Sequence, residues 1–259
     1  MDLHLDGKVA LVTGGSRGIG RAITSRLSAE GCRVGICGRD PDALARATAD
    51  LHRAGSDAFS FVADVARPGE VERFVDAAAE SLGGVDLLVA NVGGTVGGDL
   101  LDSTSDDWSQ TFELNAGHAV RAIRAAVPHM KNNGGGSVVI VSSISASKPS
   151  PRAQYGAAKA AEIYLASAFA RELAPLHVRV NSVSPGSVLF PGGGWDGYSR
   201  QYPDDFNEFV RRDFPTHRLG TVDEVADVVT FLLSDRASWV NGADIAVDGA
   251  QGRPSARGY

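Results

Sequence analysis

The chain reads as short apolar runs separated by amphipathic stretches. Nearly continuous runs stand at about Val9–Thr13, Arg33–Cys37, Ala58–Val62, Asp86–Asn91, Ser137–Ser142, Val178–Val183 and Asp244–Val247. Their length, β-branched content and lack of alternation suit strands buried on both faces, as in a parallel sheet. Helical patterns lie between them, at roughly Gly18–Glu30, Pro41–Ala54, Pro68–Leu82, Asp106–Asn132, Tyr155–Ala174 and Val222–Leu233. Pro41 and Pro68 suit first helical turns. Thr221 with Glu224 three residues on is a capping-box signature. Strand–helix alternation from end to end predicts one α/β domain over residues 1–259, a doubly wound parallel sheet of about seven strands with helices on both faces. Phe190–Pro215 fits neither period. It is rich in glycine and aromatics and reads as an irregular lobe at about 190–215, a lid over a site. Its aromatics either line an apolar pocket or form the lobe's own small core.

Composition narrows the function classes. Of 259 residues, 43% are hydrophobic and 22% charged, ordinary for a globular chain. A net charge of −6 with no basic block argues against nucleic acid or an anionic membrane as the main partner. Apolar runs such as Val85–Ala90 fall short of a membrane span. The acidic start Met1–Asp6 lacks the features of a secretory signal. Cys32 and Cys37 make no disulfide framework or zinc spacing, and no two histidines stand four apart, so no metal site is expected. The expected compartment is the cytoplasm.

Strand Val9–Thr13 runs into Thr13-Gly14-Gly15-Ser16-Arg17-Gly18-Ile19-Gly20 and then a helix. Glycines allow a tight turn and let a pyrophosphate approach the helix N-terminus, where free amides and the helix dipole favour negative charge. This placement makes the sheet a Rossmann-type one. In NAD binders an acid near the end of the second strand accepts the ribose 2′-hydroxyl, whereas an arginine there suits a 2′-phosphate. Gly38 stands where the acid is expected, Arg39 follows, and Arg17 adds a second cation. The pair favours NADP(H) as cofactor. Two readings stay open beside it: Asp40 as the ribose acceptor of NAD(H), and both arginines as plain solvated surface.

Tyr155 and Lys159 stand four apart at the start of a helical pattern, so phenol and ammonium share a face. At an effective dielectric near 20, an ammonium about 4 Å away favours a phenolate by roughly 4 kcal/mol, which brings a phenol towards use as a general acid. Ser142 and Ser143 end the strand before that helix, thirteen and twelve residues ahead of Tyr155. A hydroxyl at a strand's C-terminal end points towards the ligand cleft of an open α/β sheet.

At these residues the chain resembles the short-chain dehydrogenase/reductase family, in its compact branch that includes 3-oxoacyl-thioester reductases. The resemblance runs over nearly the whole length. Gly14, Ser16, Arg17, Gly18, Ile19 and Gly20 match its cofactor loop, and Asp64-Val65 match its adenine contact. Asn91 and Gly93 match part of its Asn-Asn-Ala-Gly turn, and Pro185, Gly186 and Val188 match the stretch beside the nicotinamide. Asn115, Ser143, Tyr155 and Lys159 match the catalytic tetrad, Ser143 being preferred over Ser142 because strand register outranks loop length. Ala90 and Val92 depart from the turn, and Phe190 replaces a threonine that contacts the nicotinamide amide.

The resemblance implies hydride transfer between NADP(H) and a ketone or secondary alcohol, in the reductive direction, with a 3-oxoacyl thioester or related ketone as substrate. It gives Tyr155 the proton, Lys159 the tyrosine and ribose contacts, Ser143 the carbonyl, and Asn115 a relay water. It implies a homotetramer. The competing readings are an NAD-dependent alcohol dehydrogenase, a non-catalytic dinucleotide sensor, and an epimerase or dehydratase.

Overall fold

The computed structural model describes residues 1–256. The end of the tail Gln251–Tyr259, read from sequence as a loose segment or a cap on a neighbouring subunit, lies outside the described residues. The strands are β1 Val9–Thr13, β2 Arg33–Gly38, β3 Ala58–Val62, β4 Leu87–Ala90, β5 Gly136–Val141, β6 Val178–Pro185 and β7 Asp244–Val247. They form one parallel sheet in the order β3-β2-β1-β4-β5-β6-β7. This is the doubly wound, Rossmann-type arrangement; the inner strands β1, β2, β4, β5 and β6 are largely buried, whereas the edge strands β3 and β7 are only partly covered, contrary to the burial their apolar runs suggest.

Helices α1 Gly18–Ala29, α2 Pro41–Arg53, α3 Glu70–Leu82, α4 Ser105–Phe112, α5 His118–Asn132, α6 Ala153–Leu173, α7 Gly194–Gln201, α8 Pro203–Asp213 and α9 Val222–Leu233 complete the fold. One core lies between the sheet and α3, α5 and α6; the other lies between the sheet and α1, α2 and α9. The amphipathic logic is plain in α3. Val71, Phe74, Val75, Ala78 and Leu82 recur at helical spacing and are all buried. Each large side chain there contributes about 1.5–3 kcal/mol, and Phe74→Ala is the single change that would open this core most, costing about 3–5 kcal/mol. The Thr221–Glu224 capping box forms as the sequence indicates.

Three expectations need correction. Pro68 does not open α3. Gly69, at φ 81°, stands between them, and the helix starts at Glu70. The stretch Asp106–Asn132 is one continuous helical run but not α-helical throughout, because a π-helical turn over Glu113–Gly117 joins α4 to α5. The 190–215 segment is not irregular, since it carries α7 and α8. Its aromatics form a core of their own: Phe209 and Phe214 are buried with Leu219, and Trp195 stacks on Phe209 at 4.7 Å. Several strand and helix ends also shift by one to two residues, as hydrogen-bonded boundaries do.

Candidate active site

The strand order reverses between β1 and β4, the point at which doubly wound sheets bind ligands. A cleft of about 590 Å³ opens there, at the C-terminal ends of β1 to β4. Gly14, Ser16, Arg17, Gly18, Ile19 and Gly20 line it on one side. Gly14 and Gly18 have φ of 68° and 54°, in the left-handed region open to glycine. A Cβ on Gly20 would lie 2.3 Å from the Gly14 carbonyl oxygen, so backbone approaches backbone as a phosphate cradle requires. No side chain caps the first turn of α1, which leaves its amides for an anion. The cradle and cleft fit a dinucleotide.

The other predicted cofactor positions divide. Arg39, Asp64, Val65, Asn91 and Gly93 line the same cleft. Asn91 ties two strand ends together, its Nδ2 donating to the Thr13 carbonyl at 2.9 Å. Pro185, Gly186 and Val188 lie beyond that lining. Pro185 ends β6, Gly186 donates to the Val247 carbonyl at 3.0 Å, and Val188 is buried and bridged to Gly220. Phe190 folds back onto the glycine loop, where a Cβ on Gly18 would touch its ring at 2.9 Å. The ring thereby walls the cleft beside α1.

Tyr155 and Lys159 share one face of α6, and Lys159 Nζ lies 5.7 Å from the centre of the Tyr155 ring. The ammonium donates to the Val141 carbonyl at 2.9 Å and to both oxygens of Glu162, at 2.9 and 3.2 Å. Burial is the largest influence and works against the lysine's charge, but the Glu162 carboxylate and the Tyr155 phenol together carry Lys159 above the ordinary lysine range. Burial pushes the Glu162 carboxyl up to about 7, against the pull of Lys159. Asn115, fully buried in the π turn, donates to the carbonyls of Gly94 and Thr111 at 2.7 Å. A Cβ on Gly93 would meet Asn115 Oδ1 and Lys159 Nζ, each at 2.7 Å, so the two converge beneath that glycine. The neighbouring His118 is driven down to about 3 by burial first and Lys159 second, and is therefore neutral.

The two serines part ways. Ser142 is buried and donates its hydroxyl to the Lys159 main-chain carbonyl at 2.8 Å. Ser143 is half-buried, and among the described residues its hydroxyl oxygen accepts only from the Ser145 amide at 3.1 Å. Two residues escaped the sequence reading. Glu162 stands three residues past Lys159, a helical spacing that marks the same face. Gln251 is fully buried and brackets Ser187, accepting from its amide at 2.7 Å and donating to its hydroxyl at 2.9 Å. No local pattern reveals that second contact, which spans 64 residues.

Among the described residues no cluster of three or more metal-ligating side chains occurs, and no helix is long and apolar enough to cross a membrane. The cradle, cleft and tyrosine–lysine pair together define a dinucleotide-dependent oxidoreductase. Residues 14–250 match the family described as Enoyl-(Acyl carrier protein) reductase. Dehydrogenase/reductase SDR family member 4 of Pongo abelii is 36% identical over 253 residues, 97% of this chain and 89% of that protein. A 7α-hydroxysteroid dehydrogenase complexed with NADH and 7-oxo glycochenodeoxycholic acid superposes with a TM-score of 0.91 at 29% identity, covering 99% of this chain and 98% of that one. L-sorbose reductase from Gluconobacter frateurii, complexed with NADPH and L-sorbose, gives a TM-score of 0.91 at 31% identity, covering 97% and 98%. The chain belongs to the short-chain dehydrogenase/reductase family. It is an NAD(P)-dependent enzyme that acts on alcohol and ketone substrates.

Proposed function

We propose that this protein is an NADP(H)-dependent ketone reductase working in the reductive direction, on a 3-oxoacyl thioester or a related ketone. The observation that carries the chemistry is the Tyr155 ring with the Lys159 ammonium 5.7 Å from its centre on one face of α6. Tyr155 donates its phenolic proton to the substrate oxygen, and the adjacent positive charge steadies the phenolate left behind. Ser143, whose hydroxyl proton is uncommitted, holds the substrate carbonyl. Asn115 braces Gly94 and the floor of the cleft beside Lys159 and serves the proton relay from the π turn. When bound, the nicotinamide supplies the hydride. The loop Gly14–Gly20 holds the pyrophosphate, Asp64 and Val65 the adenine, and Asn91, Gly93, Pro185, Gly186 and Val188 the nicotinamide half.

The choice of NADP(H) rests on what Arg39 and Asp40 do. Asp40 caps α2, its Oδ1 accepting from the amides of Asp42 and Ala43 at 3.0 and 3.1 Å. One oxygen of that carboxylate is thereby taken up by the helix cap. Arg17 and Arg39 are exposed at the cleft rim with no ion-pair partner among the described residues. Two unpaired guanidiniums flanking one cleft suit a 2′-phosphate. L-sorbose reductase, complexed with NADPH, supports the same direction, whereas the steroid dehydrogenase was captured with NADH.

A dinucleotide sensor without turnover is the competing reading, and the intact set of Ser143, Tyr155 and Lys159 stands against it. The α7–α8 lobe covers the substrate in this reading. Assembly as a homotetramer completes it, supported by Tyr164 on α6 and Trp239 after α9, 75% and 98% exposed. The test is NADPH oxidation against a panel of 3-oxoacyl thioesters and cyclic ketones. Turnover is expected with wild-type protein and none with Tyr155→Phe, which still binds NADPH. Full activity of that variant removes Tyr155 as the acid.

A further inference from the structure

A carboxylate sealed inside a helix interface is an expensive group. Glu162 has no solvent exposure, and both of its oxygens rest on one partner, Lys159 Nζ. The surrounding turns of α6 are mostly alanine, which needs no acid to pack. An apolar pair of similar volume would hold such an interface at least as well as a buried ion pair. The benefit of Glu162 therefore lies in what it does to Lys159. A fully buried lysine tends to lose its proton, because burial removes the water that stabilises its charge. Here the carboxylate, hydrogen-bonded to the ammonium through both oxygens, works against that tendency, with the Tyr155 phenol beside it.

We propose that Glu162 is a positioning residue for Lys159. It keeps the ammonium charged in a dry site and pins it between the Val141 carbonyl and the Tyr155 ring. The inference deepens the oxidoreductase reading and rests on Lys159 serving Tyr155 and the cofactor.

Apart from Tyr155, the surroundings leave this task to Glu162. From α5, His118 is neutral and brings no compensating charge. Glu113 of the π turn is paired with Arg121. On α4, Asp107 is committed to the Thr104 cap and Asp106 to Gln110. Strand β5 offers the Val141 carbonyl but no charged side chain. On β6, Arg179 donates to the carbonyls of Leu232, Leu233, Ser234 and Val240. Lys148, past β5, is paired with Asp248. Within α6, Tyr155 is the remaining ionisable neighbour of Lys159.

The experiment follows the proton on Lys159 directly. Lysine labelled with carbon-13 at Cε is titrated by NMR in wild-type protein, Glu162→Gln and Glu162→Asp. Lys159→Arg identifies the signal. Lys159 in Glu162→Gln is expected to lose its proton at least about one pH unit below wild type, with Glu162→Asp in between. The pH above which NADPH binding weakens, read from nicotinamide fluorescence, is expected to fall in the same order. An unmoved Lys159 midpoint in folded Glu162→Gln overturns the proposal and leaves a merely structural ion pair. If Glu162→Gln does not fold, Glu162→Asp decides: a lowered midpoint supports the proposal and a wild-type midpoint overturns it. The lysine titration needs no substrate and no turnover, so its failure is distinct from failure of the ketone panel or of Tyr155→Phe.

Discussion

Ser142 donates its hydroxyl to the main-chain carbonyl of Lys159 at 2.8 Å, which fastens the end of β5 to the helix that carries the tyrosine and lysine. Its neighbour Ser143 leaves its own hydroxyl proton unspent. The two serines should therefore fail in different ways. Ser142→Ala removes one buried hydrogen bond and costs about 1 kcal/mol of stability, with turnover kept within a few-fold of wild type. Ser143→Ala gives up one part-buried cap bond, at about 0.5–1 kcal/mol, but loses about 100-fold or more in kcat. Thermal melts alongside steady-state kinetics of the two variants separate the roles. A large loss of kcat in Ser142→Ala with Ser143→Ala near wild type would make Ser142 the substrate-facing serine.

Arg39→Asp should weaken NADPH and spare NADH. Arg39 lies at the cleft rim without an ion-pair partner among the described residues, so replacing it breaks no internal contact. A charge-assisted contact to phosphate contributes about 1.5–3 kcal/mol, so NADPH affinity should fall at least about tenfold. Wild-type NADPH binding should weaken with added salt more than NADH binding does, because an exposed pair is screened. Fluorescence titration of both cofactors at two ionic strengths checks this. An unchanged preference rejects the 2′-phosphate role.

Where both ends of an element carry a signal, the sequence is easy to read. β1, β3, β7 and α9 have the bounds their apolar runs indicate, and the Thr221–Glu224 cap marks α9 without ambiguity. The π turn at Glu113–Gly117 was hidden, because helical backbone runs through it from α4 into α5 and no side-chain cap marks its start. Helices α7 and α8 were hidden by Gly194, Gly197 and Pro203, which read as breakers. A local aromatic core holds those helices in place. Tyr155 and Lys159 were legible as a pair because one helix carries both. The role of Gln251 depends on the chain returning to Ser187, a long-range contact that spacing cannot show.

Gly20→Ala should remove dinucleotide binding and stability together. The new methyl would lie 2.3 Å from the Gly14 carbonyl oxygen and 2.6 Å from Asn91 Nδ2. The loop must then open, at about 1–3 kcal/mol, and the cradle loses its shape. Gly197→Ala is the control. It lies in α7 with nothing within 4 Å of the added carbon, so it should be neutral or stabilise by up to about 1 kcal/mol. Melting curves with and without NADPH decide the matter. Wild type and Gly197→Ala should gain in Tm on adding cofactor, and Gly20→Ala should not.

The turn that carries Val188 depends on an acid-sensitive cap. Gly220 donates to the Ser187 carbonyl at 3.0 Å, and its own carbonyl accepts from the Leu189 amide at 2.9 Å. Immediately afterwards Thr221 and Glu224 start α9, with Arg218 bound to the Glu224 carboxylate at 2.6 and 3.0 Å. The Arg218 side chain first, and then the Thr221 amide, hold the Glu224 carboxyl down to about 2 from an ordinary 4.5. A carboxyl depressed in the folded state binds protons more readily when unfolded. Its stabilisation is therefore complete above about 4.5 and drains away as the pH falls towards 2. With 44% of the Glu224 side chain exposed, solvent screening limits the contribution to about 1 kcal/mol or less. Glu224→Gln should lower Tm by a few degrees at neutral pH and melt less steeply with acid between pH 4.5 and 2. Parallel acid-dependence curves for wild type and variant would rule out this role if they run at a constant separation.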